Sequence, residues 1–127
     1  MLGLDTDVLV RYLVRDDRQQ YEKAARLITA GEPVLVSLVV LLEMEWVLRS
    51  RYGLSKGEIL AAVSALLDAS DLTIEDEPSV ESAIYCWKDS TADFADCLID
   101  VRNRRLGCRA TATIDKKALK LPGFISV

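Results

Sequence analysis

Five acidic residues, Asp5, Glu43, Asp93, Asp96 and Asp115, stand out from a chain that is half hydrophobic and contains no histidine. Each is expected where a strand ends, or where a helix begins or turns inward. Carboxylates gathered without imidazole favour a hard divalent cation, Mg²⁺ or Mn²⁺, because such ions prefer oxygen ligands. An ion held this way polarises phosphoryl oxygens and activates water, so hydrolysis of a phosphate ester is the chemistry to which these residue types point.

The positions differ in what they say. Asp5 and Asp115 each follow a predicted strand, and ligands of open α/β sheets sit beyond the carboxyl ends of strands. If those strands are parallel neighbours, the two carboxylates share a rim. Glu43 falls at helical spacing with Val39, Val40, Trp46 and Val47. A carboxylate on such a face is expected to lose hydration and to need a metal or a hydrogen bond in return. Glu45 points elsewhere and is expected at the surface, paired with Arg49 one turn on. Asp93, Asp96 and Asp100 recur at i, i+3 and i+7, along one helical stripe. Asp93 reads as the N-cap and Asp96 as the acid of the first turn, both favourable there. Asp100, one turn further, is expected to be solvated or paired with Arg104.

The elements that must position these residues alternate. Leu2 to Leu4 reads as a short buried strand, followed by a helix with Val8, Leu9, Tyr12 and Leu13 on one side. Asp16 and Asp17 can cap a second helix, which runs to Ala30 before the break at Gly31-Glu32-Pro33. Val34 to Val36 is a second strand. Ser37 caps a helix from Leu38 to Arg51, Tyr52-Gly53 ends it, and Ser55 starts another. Leu72 to Ile74 is a third strand, and a helix from about Ser79 to Trp87 follows Pro78. Asp93 opens a helix from Phe94 to Leu106 that Gly107 closes. Arg109 to Thr113 is a fourth strand, and Phe124-Ile125, after Pro122-Gly123, a last edge strand. Strands alternating with helices predict a parallel sheet covered on both faces.

The chain has 127 residues, enough for one domain with its own core. Net charge is −4, a poor basis for purely electrostatic binding of nucleic acid, but the sign is uneven. Ten acids and one base, Lys88, lie from Asp68 to Asp100, and seven bases and one acid, Asp115, from Arg102 to Lys120. A basic arm beside an acidic cluster can hold a polyanion next to metal ions. No apolar run reaches membrane-spanning length. The start, MLGLDTD, lacks a basic region followed by an apolar stretch, so neither membrane insertion nor a signal peptide is expected and the cytoplasm is the expected location. Cys86, Cys97 and Cys108 recur every eleven residues, which fits no zinc signature, and they are expected to be small buried hydrophobes.

Three stretches together resemble a known family: LDTDVLVRYL at the start, VSLVVLLEMEWVLRSRYGL in the middle, and ADFADCLID followed by TATIDKKA. They are similar to the PIN-domain ribonucleases, and most of all to the VapC-type toxins of bacterial toxin–antitoxin pairs. The resemblance implies a three-layer α/β/α fold with a central, mostly parallel sheet of about five strands. It implies Mg²⁺- or Mn²⁺-dependent cleavage of RNA, a VapB-type antitoxin as partner, and homodimers. Asp5, Glu43, Asp96 and Asp115 match the family's four acids in order, and Asp93 the extra acid of the DFAD variant. Thr6 and Thr113 match hydroxyls that flank the site. Asp7 departs from the pattern, standing where asparagine is usual.

On that basis Asp5 and Asp96 would hold the principal ion, Asp93 and Asp115 complete the set directly or through waters, and Glu43 orient the attacking water or tune a ligand. In-line attack would leave a 5′-phosphate and a 3′-hydroxyl. Arg11, Arg15, Arg102, Arg105, Lys116 and Lys117 are the candidate phosphate contacts. Two rivals accompany this expectation. LDTDVLV also resembles the first motif of haloacid-dehalogenase-type phosphatases, with Asp5 as nucleophile and Asp7 as general acid. A non-catalytic domain that only binds RNA or a protein would share the same elements.

Overall fold

The computed structural model describes the whole chain, Met1 to Val127. It divides into two compact units, Met1–Glu75 and Asp76–Val127.

The first unit is built on a three-stranded parallel sheet in the order β1-β2-β3, with β1 at Leu2–Gly3, β2 at Val34–Val36 and β3 at Leu72–Ile74. Leu2 lies opposite Val34, and Val34 opposite Leu72. Two helices join each pair of strands: α1 (Thr6–Val14) and α2 (Arg18–Ile28), then α3 (Leu38–Ser50) and α4 (Lys56–Asp68). Local chemistry sets these boundaries. Asp17 accepts from the Gln20 N–H at 3.0 Å and Ser37 from the Val40 N–H at 3.3 Å, each satisfying a donor that the first helical turn leaves unpaired. Ser55 and Glu58 exchange bonds of 2.9 and 3.1 Å in a reciprocal capping box. The core is aliphatic, with Leu9, Leu41, Met44, Leu48, Ile59 and Val63 fully buried around Val34 and Val36.

The second unit pairs an α-helical hairpin with a two-stranded parallel sheet. Its helices are α5 (Glu77–Lys88) and α6 (Phe94–Arg105), and its strands β4 (Thr111–Thr113) and β5 (Phe124–Ser126), joined through a short 3₁₀ turn at Ala118–Lys120. Pro78 sits in the first turn of α5, where its missing N–H costs nothing. Trp87 and Phe94 pack ring against ring at 5.3 Å where the hairpin turns.

Five strands form, all in parallel pairs, as expected. They are hydrogen-bonded as a sheet of three and a sheet of two, not as one sheet of five. The partner of β1 is β2 and the partner of β4 is β5, so backbone pairing does not make neighbours of the strands that precede Asp5 and Asp115. No helix is long and apolar enough to cross a membrane.

Candidate functional site

Asp5 caps α1. Its Oδ1 accepts from the Thr6 N–H at 2.8 Å, which fixes the rotamer and leaves the carboxylate exposed directly beyond β1. Thr6 is buried beneath it. The next strand of the same sheet, β2, runs parallel and leads through Ser37 into α3, whose second turn carries Glu43. Asp5 and Glu43 therefore leave the first unit's sheet at the same end. A contact that the sequence pattern did not reveal steadies this end: Glu75 Oε1 accepts from the Leu38 N–H at 2.8 Å, while the Glu75 N–H donates to the Val36 carbonyl at 3.0 Å. Glu75 so ties the exit of β3 to the start of α3.

The two glutamates of α3 are the reverse of what the sequence predicts. Glu43 is exposed, and so are Val39 (74 %) and Trp46 (50 %) on its face. Glu45 is the buried one, at 3 % exposure, and Arg49 reaches it with Nε at 2.8 Å. Hydrophobic residues surround α3 so completely that periodicity alone could not say which stripe faces the core. Asp7 lies within α1 and lines a shallow pocket between α1 and α2 with Arg11, Lys23 and Leu27.

In the second unit the start of α6 carries Asp93 and Asp96, and the turn after β4 carries Asp115 and Lys117. Asp93 is the N-cap of α6, and its N–H donates to Asp96 Oδ2 at 3.4 Å. Beyond β4, the Asp115 N–H donates to Thr113 Oγ1 at 3.0 Å, and Asp115 Oδ1 accepts from the Lys117 N–H at 2.9 Å. This laced turn presents Lys117, whose Nζ sits 2.8 Å from Asp93 Oδ1. Burial raises the Asp96 carboxyl above its usual range, and the charges of Asp93 and Asp115 push the same way, against the Asp93 N–H and the Lys117 ammonium. Lys117 is raised in turn, first by its bond to Asp93 and then by the charges of Asp93, Asp115 and Asp96. The charges of Asp93 and Asp115 thus bear on Asp96, while the Lys117 ammonium pairs with Asp93.

That donor set suits a hard divalent ion. It is all carboxylate oxygen, and one of its members, Asp93, already pairs with a cation, Lys117. No three acidic or thiol side chains are drawn together as a ready-made metal cage.

Most of the predicted phosphate contacts have protein partners. Arg11 pairs with Asp16 at 2.9 Å. Arg15 closes α1 in a left-handed conformation with its guanidinium 4.5 Å from the centre of the Tyr21 ring. Arg102 and Arg105 converge on Asp76 at 3.2 and 3.7 Å. Lys117 is held by Asp93, and Lys116 stands exposed. Asp100 pairs with Arg104 at 2.8 Å as expected, but it is buried rather than solvated, at 1 % exposure. Of the cysteines, Cys97 is buried, Cys86 half-buried and Cys108 exposed, so only the first fits the expectation fully.

Residues 3–121 match the family model described as PIN domain. A protein of Aquifex aeolicus (strain VF5) named VapC ribonuclease is 25% identical over 130 residues, spanning 98% of this chain and 93% of its own. A Mycobacterium tuberculosis structure, VapC20, described as a sarcin–ricin loop cleaving toxin, aligns with a TM-score of 0.46 at 21% identity, covering 100% of this chain and 98% of that one.

Proposed function

This chain belongs to the PIN-domain family, and from that premise we propose that it is a divalent-metal-dependent endoribonuclease, the toxin of a VapBC-type toxin–antitoxin pair. The observation that carries the reading is the second unit's set of acids at a helix start and a strand end: Asp93 paired with the Lys117 ammonium, and Asp96 raised by burial and by the charges of Asp93 and Asp115. The likeness to the Aquifex aeolicus VapC ribonuclease over almost the full length of both chains supports it.

The proposed roles follow from the chain's own groups. Asp5 and Asp96 hold the principal ion, Mg²⁺ or Mn²⁺, with Asp93 and Asp115 completing its surroundings. When bound, the ion neutralises phosphate charge and lowers the cost of deprotonating water. Glu43, exposed at the surface of α3, is suited to orient that water and accept its proton. Asp5 reaches its position through its bond to the Thr6 N–H, and Asp115 through Thr113 Oγ1. Lys117 steadies Asp93 until substrate and metal enter. Lys116 is the basic residue best placed to meet a phosphate, since the others named are engaged within the protein. With no histidine in the chain, an acid–base route through the 2′-hydroxyl lacks its usual groups, and attack by water leaves 5′-phosphate and 3′-hydroxyl ends. We propose that the chain forms one domain and a homodimer and acts in the cytoplasm. The VapB-type antitoxin would find a groove along α1 and α4, lined by Tyr12, Leu13, Leu54, Ala61, Ala62 and Ala65 together with the charged Arg15 and Glu58.

The position of Asp7 weakens the phosphatase alternative. A general acid two residues after the nucleophile has to face the same phosphoryl group, whereas Asp7 lies inside α1 and lines the pocket against α2. The test is cleavage of an RNA pool by the purified protein with Mg²⁺ or Mn²⁺ against EDTA, with end-group analysis, for wild type, Asp96→Asn and Asp7→Asn. Metal-dependent cleavage leaving 5′-phosphates, lost in Asp96→Asn and kept in Asp7→Asn, is expected. Absence of cleavage with either metal, or cleavage leaving cyclic phosphates, would overturn the proposal.

A further inference from the structure

The helical hairpin that carries Asp93 and Asp96 also brings two thiols into contact. Cys86 Sγ, on α5, lies 3.4 Å from Cys97 Sγ, on α6. Cys86 is half-buried and so accessible to a small oxidant, while Cys97 is fully buried behind it. The Trp87–Phe94 ring pair at the turn of the hairpin holds the two helices together beside the sulfurs. We propose that Cys86 and Cys97 form a reversible thiol-oxidation site at which a hydroperoxide is reduced as the two sulfurs close to a disulfide.

A disulfide spans about 2.05 Å, so the sulfurs have only about 1.4 Å to travel. Such a step is within the reach of side-chain rotation and a small shift of helix on helix. The chemistry proceeds in two stages. Cys86 sulfur attacks a peroxide oxygen; the S–O bond forms, the O–O bond breaks, and water leaves, carrying the thiol proton. Cys97 sulfur then attacks Cys86 sulfur; the S–S bond forms, the S–O bond breaks, and a second water takes the Cys97 proton. Two thiols lose two electrons in all, and one hydrogen peroxide becomes two waters. A dithiol reductant reverses the bridge by exchange. Cys108, exposed beyond α6, is not part of the pair.

Cys97 directly follows Asp96 in the first turns of α6. A bridge to α5 through Cys97 constrains the residue next to Asp96, and we expect that constraint to disturb the setting of Asp96 and Asp93. Oxidation should therefore weaken the hold on a divalent ion. This consequence rests on the proposed metal-dependent function, whereas the bridge itself does not.

The test uses the full chain carrying Cys108→Ser, treated with hydrogen peroxide under native conditions. Trypsin cuts after Lys88, so Cys86 and Cys97 fall on separate peptides unless they are bridged. The expected result is a linked peptide pair two hydrogens lighter than the sum, reversed by dithiothreitol and absent when Cys86→Ser is added. Mn²⁺ affinity, read by electron paramagnetic resonance of the free ion, should fall by about tenfold on oxidation and return on reduction, the size expected when groups orienting metal ligands are disturbed. Stepwise gain of oxygen on either cysteine without a linked pair would overturn the site. A linked pair with unchanged Mn²⁺ affinity would overturn its coupling to the carboxylates. If the reduced protein binds no Mn²⁺ at all, the metal-dependent reading fails together with that coupling, while the bridge is still decided by mass.

Discussion

Glu45 and Arg49 show how little the sign of a charge says about its place. Glu45 is buried at 3 % exposure and Arg49 half exposed, so the pair is lopsided. Removing the exposed partner leaves a buried carboxylate short of its closest cation, which costs far more than removing both charges. We expect Arg49→Ala to lower stability by about 2–3 kcal/mol, and Glu45→Met, which takes away the charge but keeps the volume, to cost under about 1.5 kcal/mol. Urea denaturation of both variants checks the order; an Arg49→Ala protein as stable as Glu45→Met would refute it. Glu43 should behave in the opposite way. Because it is exposed, Glu43→Gln should shift stability by no more than about 0.5 kcal/mol. RNA cleavage should nevertheless fall by about 10²-fold or more, on the scale of losing a group active in proton transfer. Residue type and neighbours singled out all five acids as candidates, but the environment of Glu43 was not legible from them. Exposure depends on which side of α3 meets other elements, and Val39, Val40, Trp46 and Val47 gave that helix no distinct polar face.

Element boundaries were the most legible level, because they are written in local chemistry. Ser37, Ser55 and Asp17 cap α3, α4 and α2 as their types predict. The start of α5 shows the limit. Asp76 there adopts a left-handed backbone (φ 49°) and its Oδ2 accepts from Ser79 Oγ at 2.6 Å. It also gathers Arg102 and Arg105 of α6, a long-range choice that no local pattern reveals. The Ser79 hydroxyl, then the charges of Arg102 and Arg105, hold the Asp76 carboxyl below its usual range despite partial burial. A carboxyl depressed in the folded state stabilises fully above its unfolded pKa and loses that contribution as pH falls towards the folded value. Wild type should therefore lose stability on acidification below about pH 4, the ordinary aspartate value. Asp76→Asn should be less stable near neutrality and show a shallower fall over that window; thermal melts from pH 6 to 3 measure it. The end of the same unit has its own constraint. A Cβ on Gly123 would collide with the buried Asp100 carboxylate, which Arg104 already holds at 2.8 Å. Gly123→Ala should cost about 1–3 kcal/mol, the range for overpacking a tight interior. Asp100→Ala added to it should recover part of that loss, which chemical denaturation of the two variants would show.

For the whole molecule, the alternation of strands and helices predicted a parallel α/β protein, and the PIN-domain match over residues 3–121 bears out the fold class. Strand pairing was beyond the sequence. Strands of two or three residues carry too little pattern to choose partners, and the chain closes them as three and two. The five acids of the proposed function are divided in the same way: Asp5 and Glu43 belong to one compact unit, Asp93, Asp96 and Asp115 to the other. A divalent ion that binds the folded chain and not the unfolded one must stabilise it by mass action, by about 2.7 kcal/mol when present at a hundred times its dissociation constant. If carboxylates of both units serve one ion, as proposed, that gain requires both. Titrating Mn²⁺ into wild type should raise the melting temperature with saturation, and EDTA should return it. Asp5→Asn and Asp96→Asn, altered in different units, should each abolish the rise while leaving the metal-free melting temperature nearly unchanged, since Asp5 is exposed and Asp96 repels its own neighbours. A rise that survives Asp5→Asn but not Asp96→Asn would assign the ion to the second unit alone. Asp5 would then have to act on the substrate instead of on the metal.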